Sequence, residues 1–79
     1  MLLFIVEQVF DISGFGIVPL PSPGENAVGV GTPIRLVRPD KSVLDTKISG
    51  IIFDSRDIVL GAEVRKEDVP IGTEVWSME

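Results

Sequence analysis

Apolar and polar positions alternate with a period of two along most of the chain, and short turns punctuate them. Residues 2–12 read as one strand. Its even positions are Leu2, Phe4, Val6, Gln8, Phe10 and Ile12, apolar except for Gln8, and they are expected to face the core. Ser13, Gly14, Phe15 and Gly16 form a turn, with glycines on both sides of Phe15 permitting positive φ. A short strand over residues 17–20 follows. Pro19, Pro21 and Pro23 remove backbone donors there, which suits an edge or a loop, and residues 21–26 read as the clearest loop of the chain.

Residues 27–30 read as a brief strand and residues 34–38 as another, with Ile34 and Leu36 on one face. Pro39, Asp40, Lys41 and Ser42 read as a hairpin turn, because proline presets φ at the first central position and Asp tolerates the second. The next strand spans residues 43–53. Its inward set runs Leu44, Thr46, Ile48 and then Ile51, Phe53, so the alternation changes phase near Gly50 and predicts a β-bulge. Residues 54–57 are a polar turn, residues 58–64 a strand interrupted by Gly61, and residues 74–78 a final strand carrying Trp76. No window carries a capped helical stripe. Six or seven short strands predict an all-β barrel or sandwich, and closure into a barrel removes exposed edges.

Three stretches, taken in order, resemble the second domain of elongation factor Tu and related translational GTPases. Residues 4–18 are similar to that family's Phe-x-Val-Glu-Asp-Val-Phe-x-Ile-x-Gly-Arg-Gly-x-Val. Residues 28–51 resemble its Val-x-Val-Gly-Asp-x-Val-x-Ile-Val followed by Thr-x-Val-x-Gly-Ile. Residues 64–76 resemble the closing Arg-x-Glu-Asp-Ile-x-x-Gly-x-Val-Leu. The resemblance covers nearly the whole chain and implies a single small closed antiparallel six-stranded β-barrel of the translation-protein domain II type over residues 1–79. Gly50 falls where the family also has a glycine. Two departures stand out. Phe15 occupies the place of the family's arginine between the glycines, and the connection between Phe53 and Ile58 is shorter than usual.

Composition narrows the chemistry. The 79 residues are 44% hydrophobic, enough for the dense core that so small a chain needs. Cysteine and histidine are both absent, so no disulfide forms and the usual zinc ligands are missing; no metal or cofactor is expected. The net charge of −5, with charges interspersed, reads as an acidic cytoplasmic surface and counts against broad nucleic-acid binding. The apolar start is too short for a secretory signal and no window spans a membrane, so no membrane association is expected. No Gly-x-x-x-x-Gly-Lys-Ser/Thr loop is present, and Gly14-x-Gly16 joins two strands instead of feeding a helix, so no nucleotide is expected.

Without His or Cys the commonest base and the strongest nucleophile are gone, and the chain is expected not to be an enzyme. Asp54 with Asp57, and Glu67 with Asp68, are carboxylate pairs able to take Mg or Ca; exposed acids of this kind are mostly solvated turn residues. Ser55 has no base to activate it. The expectation is therefore a non-catalytic binding module. Phe15, flanked by Gly14 and Gly16, is either an exposed aromatic anchor for a protein partner or second copy, or folds back onto the barrel end. Trp76 is either a core residue or a second anchor near Phe15. The alternative function is RNA or ribosome association, as the resemblance implies, through Arg35, Arg38 and Lys41; Arg35 and Arg38 have opposite strand parity, which favours a solvated, ion-paired edge.

Overall fold

The computed structural model describes residues 1–23 and 28–78. Among the described residues it is all-β, with one 3-10 turn at Lys66–Asp68 and seven strands: β1 (Leu2–Ile5), β2 (Gln8–Ile12), β3 (Gly16–Leu20), β4 (Pro33–Val37), β5 (Val43–Ile51), β6 (Ile58–Leu60) and β7 (Glu74–Ser77). Five of them make a curled half-barrel in the order β1-β7-β4-β5-β6, and β2 and β3 pair with each other as a separate hairpin. All pairings are antiparallel.

The expected closed six-stranded barrel is therefore corrected to a half-barrel with a separate hairpin packed beside β6. The hairpin meets β6 through packing, and no ladder joins β3 to β6. Pro19 brings no N–H to β3, and the Ser49 hydroxyl donates to the β6 carbonyls of Val59 and Leu60, at 3.1 and 2.9 Å.

The core lies on the concave side. Ile34, Leu36, Ile48, Ile58, Leu60 and Val75 are 1% exposed or less. Each such side chain contributes about 1.5–3 kcal/mol by leaving water. Two buried hydroxyls are satisfied locally: Thr73 Oγ1 donates to the Pro70 carbonyl at 2.6 Å, and Thr46 Oγ1 to Glu63 Oε1 at 2.6 Å.

Alternation holds in the central strands. In β4, Ile34 and Leu36 are buried while Pro33 and Arg35 are exposed. The bulge predicted at Gly50 is present, with the β5–β6 register shifting between Ile48 and Gly50. The turn after β4 is the expected hairpin: Lys41 N–H donates to the Arg38 carbonyl and Arg38 N–H to the Ser42 carbonyl, both at 2.8 Å. Lys41 closes it with φ +75°.

Four expectations are corrected. The single strand over residues 2–12 is two strands broken at Val6 and Glu7, and the break reverses the facing. Phe4 and Val6 point inward as expected, but Val9 takes the core side of β2, and Phe10 (49%) and Ile12 (41%) join Gln8 in solvent. A second irregularity in β1, between Leu2 and Phe4, buries Leu3 and leaves Leu2 exposed. The strand expected at residues 27–30 is a turn over its described part: Thr32 Oγ1 accepts from Gly29 N–H at 3.0 Å and Gly31 N–H donates to the Ile48 carbonyl at 2.7 Å. Ala27 lies outside the described residues, as do Gly24, Glu25 and Asn26 of the proline-rich loop. Finally, β5 ends at Ile51 and β6 at Leu60, so Phe53 is outside the sheet and 92% exposed instead of inward.

Candidate functional site

The β2–β3 hairpin ends in a turn whose shape follows from its glycines. Phe15 N–H donates to the Ile12 carbonyl at 2.9 Å, and Gly14 takes φ +79°, the left-handed value that a β-carbon disfavours. Gly16 follows with φ +128° and lies directly on β6. A Cβ there would sit 3.1 Å from Val59 Cγ1 and 3.3 Å from the Leu60 carbonyl oxygen. The turn is thus pressed onto the sheet by a residue with no side chain, and Phe15 is held 62% exposed beside that contact.

Phe15 separates two depressions. The larger, about 630 Å³, runs between the hairpin and the segment after β6; Asp11, Ser13, Phe15, Ala62, Arg65 and Glu67 are among its walls. The smaller, about 180 Å³, lies over the bulge between Phe15, Ser49, Ile51 and Val59. Charges along the larger groove are mixed. Arg65 and Glu67 approach at 3.9 Å with both side chains mostly in water, so the pair adds little.

Trp76 stands elsewhere. It lies on the outer face of β7, opposite Leu2 of β1 and Arg35 of β4, half-buried, with its indole N–H donating to Glu74 Oε1 at 2.9 Å. It borders a shallow depression with Arg35, Val37 and Met78 that shares no wall with the Phe15 groove. Gly14, Phe15 and Gly16 therefore form one feature, and Trp76 belongs to another.

The three cations named for RNA are also separated by their partners. Arg35 makes a bidentate contact to Asp45 across the β4–β5 ladder, at 2.7 and 3.0 Å. That contact raises the Arg35 guanidinium and holds the Asp45 carboxyl below its ordinary value. Arg38 turns to the 3-10 turn, where Nε donates to the Asp68 carbonyl at 2.7 Å and a terminal nitrogen lies 3.8 Å from its carboxylate. Lys41 is exposed at the hairpin tip.

The carboxylates weighed for metal or acid–base work occupy turns. Asp68 accepts from Arg65 N–H at 2.9 Å, Ser55 Oγ accepts from Asp57 N–H at 3.3 Å, and Asp54 and Glu67 are exposed. Among the described residues no three acids come close enough together to hold a metal ion, and no helix is long and apolar enough to cross a membrane.

Sequence reasoning missed the outward aromatic residues Phe10 and Phe53. The signal for Phe53 was the polar run Asp54, Ser55, Arg56, Asp57, which places it at the mouth of a turn. Phe10 carried no such signal, because its facing depends on the break at Glu7. No protein-family model, no curated protein and no solved structure matches the chain.

Proposed function

We propose that the chain is a non-catalytic binding module that engages a protein partner through the β2–β3 turn. The observation that carries this reading is Phe15, 62% exposed beside the close approach of Gly16 to β6, at the wall of the 630 Å³ groove. An exposed aromatic beside a groove has the character of an interface hot spot. The resemblance of the chain to the second domain of translational GTPases is consistent with a module role, and the reading needs no more than an all-β scaffold that presents this turn. RNA association, the other reading that kinship suggests, draws less support, because Arg35 and Arg38 are already engaged by Asp45 and Asp68.

The test is a tagged capture from the native host at low and moderate salt, with and without ribonuclease. A discrete protein recovered by the wild type, indifferent to ribonuclease and lost with Phe15→Ala, supports the reading. Ribosomal components that vanish with ribonuclease or salt would instead establish the RNA reading.

A further inference from the structure

Among the described residues Phe53 is the most exposed large apolar one, at 92%, and sits at the mouth of the β5–β6 loop. That loop is not slack. Ile52 N–H donates to the Asp57 carbonyl and Arg56 N–H to the Ile52 carbonyl, each at 2.8 Å. The ring therefore projects from a closed turn, with the Asp54 carboxylate next to it in the chain.

A second feature complements it. Between β2 and the segment after the 3-10 turn lies a groove of about 420 Å³ walled by Val9, Phe10, Val69, Pro70 and Ile71, with Gln8 and Lys66 at its polar margin. Phe10 and Ile71 line it while remaining 49% and 68% exposed. An apolar cavity of about 150 Å³ is enough for a benzene ring, so the groove has room for a benzyl side chain. Its one charged wall residue is a cation, Lys66, and the residue following the projecting ring is an anion.

We propose that this chain associates with itself head to tail, the Phe53 ring of one copy entering the Phe10–Ile71 groove of the next and Asp54 meeting Lys66. A second copy is the occupant because the same chain carries both halves of the contact, matched in polarity and in charge. The two halves belong to different parts of the fold, so the contact is heterologous and each copy keeps one half available for a further neighbour. The contact does not use Phe15, and it shares only Lys66 with the walls of the Phe15 groove. One aromatic side chain covers about 150–250 Å², well below the roughly 1,200–2,000 Å² of a stable interface. The association is therefore weak and concentration-dependent.

Sedimentation equilibrium of the full chain, from about 10 µM to the millimolar range where such contacts form, provides the test. The wild type is expected to rise in mean mass with concentration, and Phe53→Ala and Ile71→Glu, both at exposed positions, are each expected to stay monomeric. Mixing those two variants is the decisive arm: one supplies an intact groove and the other an intact ring, so the mixture forms dimers and stops there. Asp54→Lys weakens association and Lys66→Asp in the same chain restores it, while Phe15→Ala leaves it unchanged. A wild type monomeric throughout the range, association surviving Phe53→Ala, or a mixture that stays monomeric would each overturn the proposal; circular dichroism on every variant confirms that the fold is retained.

Discussion

Arg38 Nε donates to the backbone carbonyl of Asp68 at 2.7 Å, tying the β4–β5 hairpin to the 3-10 turn 30 residues later in the chain. The same guanidinium donates to Ser42 Oγ at 3.2 Å, and one of its nitrogens lies 3.8 Å from the Asp68 carboxylate, with its side chain only 21% exposed. A cation that sequence alone offers to RNA is thus a brace between two turns. Arg38→Ala leaves the Asp68 carbonyl without this donor and should destabilise the fold by about 1.5–3 kcal/mol, the usual range for a hydrogen bond to a charged group. Arg38→Lys recovers only part, since an ammonium cannot span the carbonyl and the hydroxyl as a planar fork does. Urea unfolding midpoints of the three proteins measure this.

Gly16 carries a conformational and a steric requirement at once. Alanine there must hold φ near +128° and place its Cβ 3.1 Å from Val59. Destabilisation of about 1–3 kcal/mol is expected from the backbone alone, with the hairpin lifting from β6. Hydrogen exchange at β3 and β6 amides should accelerate more than in the centre of β4; equal protection in wild type and Gly16→Ala would show that the close approach costs nothing.

Lys41 is a lysine in the left-handed region, φ +75°, at the end of the β4–β5 turn, where hairpins of this kind favour glycine. Lys41→Gly relieves about 1–2 kcal/mol of left-handed strain and costs about 0.5–1 kcal/mol in chain entropy, so a net stabilisation of about 0.5–1 kcal/mol is expected, read as a higher midpoint in the same urea titration. Arg38 and Lys41 share this turn through the Lys41 N–H bond to the Arg38 carbonyl, so the two substitutions are expected to couple in the double variant.

Acid stability follows from three exposed carboxylates held below their ordinary range: Asp45 by the Arg35 contact, Asp40 by the Ser42 hydroxyl and N–H, and Glu63 by the Thr46 hydroxyl. A depressed folded-state value means that their stabilisation is fully present above the ordinary carboxylate range, about pH 4, and is lost as pH falls through the lower folded values. Thermal midpoints should be level from neutral pH down to that range and then drop. Asp40→Asn and Asp45→Asn should each make the acid drop shallower; an unchanged acid profile in both variants would remove these groups from the account.

Much of the scaffold was legible in the chain because it depends on local chemistry. Alternation placed Ile34, Leu36 and Ile48 inside, since each strand residue points opposite to its neighbours. Gly50 announced the bulge through the phase change, and Pro39 with Asp40 announced the hairpin, because those residues restrict the backbone wherever they occur. What the chain could not announce was decided by contacts between distant segments. The break at Glu7 turned Phe10 and Ile12 outward, because Val6 bonds to Thr73 and Gly72 while Glu7 bonds to Leu20, two different parts of the fold. Pairing between β3 and β6 was likewise decided between distant segments, and no ladder joins them. The turn around Phe15 could be read from its glycines, but its close approach to β6 arises only where Gly16 meets Val59. Sequence thus determined which backbones bend and which side chains prefer oil to water; tertiary structure decided which apolar side chains found cover, because burial is a property of what packs against a residue and not of the residue itself.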